Sequence, residues 1–114
     1  MLKIEAIFRP ERVNAVTEAL TSVGVTGFHY QNITGQGQQQ GVEMITCRGS
    51  QTATRSSVPK TLLVTIVSNE KKDDVVNAII ESTRSGDIGD GKIFIGEISD
   101  IIRVRTGETG EEAI

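Results

Sequence analysis

Residues 85–105 read SGDIGDGKIFIGEISDIIRVR, and most of the side chains able to do chemistry sit in this stretch. Gly89, Asp90, Gly91 and Lys92 form a glycine-rich turn that ends in a cation. Glycine lets a backbone approach a ligand closely and aim its N–H groups at phosphate oxygens. Arg103 and Arg105 follow, two residues apart, a spacing that puts both on one face of a strand. Turn and arginines together predict an anion clamp, best suited to a nucleotide polyphosphate. Taken alone, the turn is equally a tight reversal before a strand, and the arginines equally solvated. No catalytic set accompanies them. The single histidine, His29, has no carboxylate partner in sequence, and the turn scatters Asp87, Asp90 and Glu97.

Something must hold this clamp in place, and the hydrophobic pattern supplies it. Residues 2–8 alternate as a strand, with Leu2, Ile4 and Ala6 on one side. Pro10 suits the first turn of a helix. Val13, Val16, Leu20 and Val23 recur at helical spacing, and Gly24 stops them. Residues 25–33 predict a second strand. Residues 34–58 hold four glycines and five glutamines among many Ser and Thr. They predict a long exposed loop, of the kind that is uncommon unless functional. Residues 60–67 (KTLLVTIV) predict a buried strand. Val75, Val76, Ile79 and Ile80 stripe a second helix, which Asp73 and Asp74 open at the positive end of its dipole. Two short strands close the pattern, at 92–97 and 101–105. The order β-α-β-loop-β-α-β predicts an α+β, ferredoxin-like βαββαβ domain over 1–114, an antiparallel sheet with both helices on one face. The open face then needs a cover, and another subunit would provide one.

Composition narrows the partners. The chain has 114 residues, a net charge of −3 and 4% aromatics, which argues against nucleic acid, whose binders carry a basic excess. Cys47 is alone, so no disulfide forms within the chain. The start, MLKIEAIFRPER, is charged early and has no long apolar run, so neither a secretory signal nor direct membrane insertion is expected. A cytoplasmic home fits.

Read in order, the motifs KIEAIFRPE, VGVTGF, GQGQQQG, CRGS, PK, SGDIGDGKIF, IRVRTGE and the closing AI resemble the PII signal-transduction family, the nitrogen regulatory proteins. The resemblance covers nearly the whole chain. It implies a compact homotrimer whose inter-subunit clefts bind ATP or ADP, in many members with Mg and 2-oxoglutarate. It implies a projecting T-loop, here about 36–58, that regulates a membrane transporter of ammonium or another nutrient, or a metabolic enzyme. Recruitment to a membrane would then come through the transporter. By the same resemblance Gly89, Asp90, Gly91 and Lys92 match the phosphate-facing loop, and Arg103 and Arg105 the basic pair. Ile7 and Ile66 match apolar positions near the base. Gly37 and Gln39 match the base of the T-loop, Gln39 being the Mg ligand. Arg9, Gln39 and Lys60 match the surroundings of 2-oxoglutarate. Arg48 matches an arginine that plugs a target, and Ser50 a position modified in some members.

Departures temper this. Gln36 stands where an aromatic is usual, and Gln38 where an arginine reaches the γ-phosphate. Losing that charged hydrogen bond, worth about 1.5–3 kcal/mol, weakens any preference for ATP over ADP. His29 replaces a threonine near the nucleotide. Thr52 replaces the tyrosine that receives a nucleotidyl group. A sensor of adenine nucleotides alone, and a small nucleotide hydrolase of the same fold, are the alternative readings.

Overall fold

The computed structural model describes the backbone of residues 1–38, 44–45, 52–53 and 55–114, and the side chains of residues 1–35 and 57–114. Among the described residues, six strands and two α-helices appear in the order β1 (Leu2–Phe8), α1 (Val13–Ser22), β2 (Phe28–Gln38), β3 (Met44–Ile45), β4 (Thr52–Ala53), β5 (Arg55–Val67), α2 (Lys72–Thr83) and β6 (Lys92–Glu97). Four of them form an antiparallel sheet in the order β2-β5-β1-β6. This is the expected ferredoxin-like α+β plan.

Period-two alternation explains which face the helices cover. Ile4, Ala6 and Phe8 of β1, with Leu63 and Val67 of β5, are buried against Val16 and Leu20 of α1 and Val75 and Ile79 of α2. The other face carries Ile7, Leu62, Val64 and Ile66, which are half-buried, and Phe94, which is 49% exposed. The β5 run is therefore buried on one side only within a single chain. Leu20 is fully buried, so Leu20→Ala should cost about 3 kcal/mol of stability. Urea denaturation at fixed protein concentration checks this.

Helix α1 ends in a Schellman arrangement. Gly24 adopts φ 88°, its N–H donates to Thr21 O, and the Val25 N–H donates to Leu20 O. Lys71, at the start of the second helical region, donates to Val23 O at 2.7 Å and ties the two helices together. Val25 is thus buried in a helix cap, and β2 begins only at Phe28.

Two expectations need correction. Residues 34–58 do not all form a loop: Thr34 to Gln38 pair in continuous register with Pro59 to Arg55, and Met44 and Ile45 pair with Ala53 and Thr52. A two-stranded arm therefore extends from the sheet. Pro59 lies beyond the last β1 partner, where β5 has one neighbour and a strand tolerates proline. The other correction concerns residues 101–105, which are not a strand. Ile102 makes a single bridge to Thr109, and the chain turns at residues 104–106. Gly107, at φ 74°, donates to Arg103 O, while Arg103 N donates to Glu108 O. Local hydrogen bonds between Arg103 and residues 107 and 108 fold this segment back on itself, so it does not extend along the sheet. The same-face argument for Arg103 and Arg105 therefore lapses, since it requires extended backbone.

Candidate functional site

At one end of the sheet, β1 brings Ile7 opposite both Leu62 and Lys92. The glycine turn therefore starts β6 beside the last residues of β1. Gly91 sits at φ 118°, and a Cβ there would lie 1.8 Å from Ile7 O. Only glycine permits this approach. Gly89, at φ 100°, faces the Arg9 guanidinium and the Lys60 ammonium. Arg9 leaves the end of β1 and Lys60 points from β5, so three elements converge on one turn.

The polar contacts are dense. Arg9 Nη1 lies 2.6 Å from Asp90 Oδ1 and 3.0 Å from Ser85 Oγ, and Nη2 donates to Ile88 O at 2.8 Å. Asp90 Oδ2 accepts from the N–H groups of Ser85 at 2.8 Å and Gly86 at 2.9 Å. The Ser85 hydroxyl also donates to this carboxylate. Lys60 Nζ donates to Gly89 O at 2.6 Å. Asp90 is thus the keystone of its own loop, its carboxylate engaged inward. An anion at this turn would meet the backbone N–H groups and the cations, not that carboxylate.

The electrostatics follow from these contacts. Hydrogen bonds from Ser85, first its hydroxyl and then its amide, hold the Asp90 carboxyl well below the usual carboxylate range, with help from Gly86 and Arg9. Its ionised form therefore contributes stability that is present above about pH 4 and lost as pH falls further. Asp90→Asn should flatten the acid limb of the stability curve, read as urea midpoint against pH for both proteins. Burial pushes the Lys60 ammonium down, and the neighbouring Arg9 charge pushes it further, against pulls from Glu11 and Asp90. Two cations held this close are suited to an anion between them.

The remaining residues expected in the clamp lie elsewhere. Arg103 Nη1 is 3.4 Å from Glu108 Oε1, and Nη2 lies 3.5 Å from Glu112 O and 3.4 Å from Ile114 O. Ile114 shares a groove with Ile66, Val67 and residues 24–27. Arg103 and Ile66 therefore stand at the far end of the sheet from Lys60 and Gly89. Ile66 lies six residues along β5 from Lys60, roughly 20 Å. Arg105 is exposed within the turn at residues 104–106. One chain thus separates these residues along the sheet: Ile7, Arg9, Lys60 and the residue 89–92 turn lie at one end, Ile66 and Arg103 at the other. Gly37 lies within the arm, opposite Ser56. Gln39, Arg48 and Ser50 lie outside the described residues.

Sequence reasoning missed Ser85, seen only as a helix stop, and the bonding of Arg9. The signal available was an aspartate four and five residues beyond the two amides that it caps. Among the described residues no group of three or more His, Cys, Asp or Glu could hold a metal ion, and no helix is long and apolar enough to cross a membrane.

Comparison with known proteins agrees with the fold. The family model "Nitrogen regulatory protein P-II" matches residues 1–108. The P-II protein of Pasteurella multocida is 40% identical over 114 residues, the whole of both chains. The P-II homologue of Arabidopsis thaliana is 42% identical over 111 residues, 97% of this chain, which spans 56% of that relative's length. Among solved structures, Arabidopsis PII bound to citrate superposes with a TM-score of 0.79 at 37% identity, covering 99% of this chain and 91% of that one. GlnK from B. subtilis superposes with a TM-score of 0.82 at 32% identity, covering 99% and 97%. With two helices on one face of a four-stranded sheet and matches along its length, the chain belongs to the nitrogen regulatory protein P-II family, whose members are signal transducers and not enzymes.

Proposed function

We propose that the chain binds ATP or ADP in clefts between copies of itself, as a homotrimer, and reports the bound state through its arm. The observation that carries this reading is the pair of half-sites. The glycine turn offers N–H groups and Lys92 at one end of the sheet, while Arg103 offers a cation towards the other end and Arg105 a further one in the turn that follows. Neither half encloses a nucleotide alone. A second copy set against the open sheet face would bring its arginine end to the first copy's glycine end and would cover Ile7, Leu62, Val64, Ile66 and Phe94 in the same step. Such burial is what a thin aliphatic core gains from association.

Arg9 and Lys60 support a carboxylate ligand next to the phosphates. Their mutual repulsion and the partial burial of Lys60 are relieved by an anion. The citrate complex of the Arabidopsis relative is consistent with polycarboxylates reaching this fold. For this chain 2-oxoglutarate is the reading, with Gln39 and Mg completing it. The arm then takes one of its arrangements according to the ligand, by no more than the ligand's differential affinity. Its target is a membrane transporter or a metabolic enzyme, met from the cytoplasm.

Calorimetry with ATP and with ADP, on protein whose mass in solution has been measured, tests the proposal. Heat with either nucleotide on an assembly of three copies is expected. A monomer, or no heat with either, contradicts it. A second titration, of 2-oxoglutarate with Mg and ATP present, is expected to give heat that Lys60→Ala abolishes.

A further inference from the structure

We propose that the slot between α2 and β6 binds a small aliphatic carboxylate, its tail against Ile93 and Ile95 and its head group at Arg84. The slot lies on the helix-covered face of the sheet, so the inference goes beyond the nucleotide reading and stands without it. Helix α2 covers β1 but stops short of the edge strand. Ile4 is fully buried, whereas Ile95, opposite it in the β1–β6 ladder and on the same face, is 46% exposed. Ile93, opposite the fully buried Ala6, is half-buried. Val76 and Ile80 of α2 are half-buried too. These side chains line a slot of about 400 Å³ between helix and strand, a volume suited to a small ligand held mostly by apolar contacts.

Charge selects the ligand. Arg84, Asp90 and Lys92 are the ionisable residues of the lining. The Asp90 carboxylate is already engaged by Ser85, Gly86 and Arg9. Lys92 pairs with Ile7 and precedes Ile93, so its side chain points to the other face of the sheet. Arg84 directly follows α2, is exposed, and makes no ion pair or side-chain hydrogen bond among the described residues. The bond from Ser85 N–H to Asp90 fixes Arg84 at the glycine-turn end of the slot. Glu81, one turn back, lines the groove on the other side of α2, against α1. Glu97 stands two residues past Ile95, at the far end of β6. An anionic head is therefore favoured at the Arg84 end and repelled at the other, with apolar surface between. From Lys92 to Ile95 the strand runs about 10 Å, which suits a medium-length aliphatic tail and not a bare carboxylate.

The test uses octanoate as the probe on the assembled protein, followed by isoleucine-methyl NMR. Shifts are expected at Ile80, Ile93 and Ile95 and not at Ile66 on the open face. Affinity should rise about twofold to fourfold per methylene from butanoate to octanoate. Arg84→Gln, an exposed substitution, should weaken octanoate about tenfold and leave octanol, which has the tail without the charge, unchanged. No shifts, or shifts spread equally over Ile7 and Ile66, overturn the inference. So does an equal loss for octanoate and octanol in Arg84→Gln, which would make that residue's role structural. Loss of assembled mass in Ile95→Asp without any probe would make a second copy the occupant, and likewise overturns it.

Discussion

Gly91→Ala should destabilise the protein by about 3 kcal/mol or more, the largest loss expected from any single added methyl group. Two costs combine. The backbone at φ 118° is one that an L residue adopts only under strain, and the new Cβ would sit 1.8 Å from Ile7 O and 2.8 Å from Ile7 C. A flexible side chain could swing away from such a contact, but a backbone carbonyl inside β1 cannot move without disturbing the sheet. Ile7 pairs with both Leu62 and Lys92, so relief would pull the edge strand β6 off register. Gly86→Ala is the control. Gly86 has φ 90°, yet nothing lies within 4 Å of its Cβ position, so that variant should lose only the backbone term, about 1 kcal/mol. Urea midpoints of the three proteins separate the two terms. Equal losses in both variants would remove the close approach to Ile7 from the account.

Replacing Arg103 and Arg105 together with alanine should weaken ADP binding by roughly a hundredfold to ten-thousandfold. Each charge-assisted hydrogen bond to phosphate is worth about 1.5–3 kcal/mol, and two are removed. The single variants sort the causes. Arg103 also bonds Glu108 and the carbonyls of Glu112 and Ile114, so Arg103→Ala should lower both affinity and the order of the chain's end. Arg105 makes no ion pair among the described residues, so Arg105→Ala should lower affinity alone. Calorimetry gives the affinity and thermal unfolding the stability. Unchanged ADP affinity in the double variant would sink the phosphate role of the pair.

How far these features can be read without coordinates depends on the distance over which each is determined. The helices and the inner faces of β1 and β5 follow from apolar spacing at Ile4, Ala6, Val16, Leu20, Val75 and Ile79, because burial acts on every residue of a periodic element. The arm was hidden because its stems, Thr34 to Gln38 and Arg55 to Pro59, are polar and glycine-rich. Pairing there is propagated from the register of the sheet and not demanded by apolar alternation. Residues 101–105 misled for the opposite reason: IIRVR has strand propensity, yet the turn closed by Gly107 folds the segment back on itself. The glycine turn was legible as a turn. Its engagement by Arg9 and Lys60 was not, since those contacts join positions up to 81 residues apart. That Arg103 lies far from Gly89 within one chain is likewise a fact of topology. It separates what looked like a single clamp into two groups of residues, which the proposed function assigns to different copies.

That division can be measured by mixing subunits. Lys92→Glu, which reverses the charge beside the glycine turn, and the Arg103→Ala, Arg105→Ala double variant each spoil one half. Each should bind ADP poorly alone. Unfolded together and refolded, they form mixed assemblies in which some clefts join an intact turn from one copy to intact arginines from another. The account predicts that ADP binding returns in the mixture and in neither parent. Mixed assemblies confirmed by mass that bind no better than the parents would contradict it.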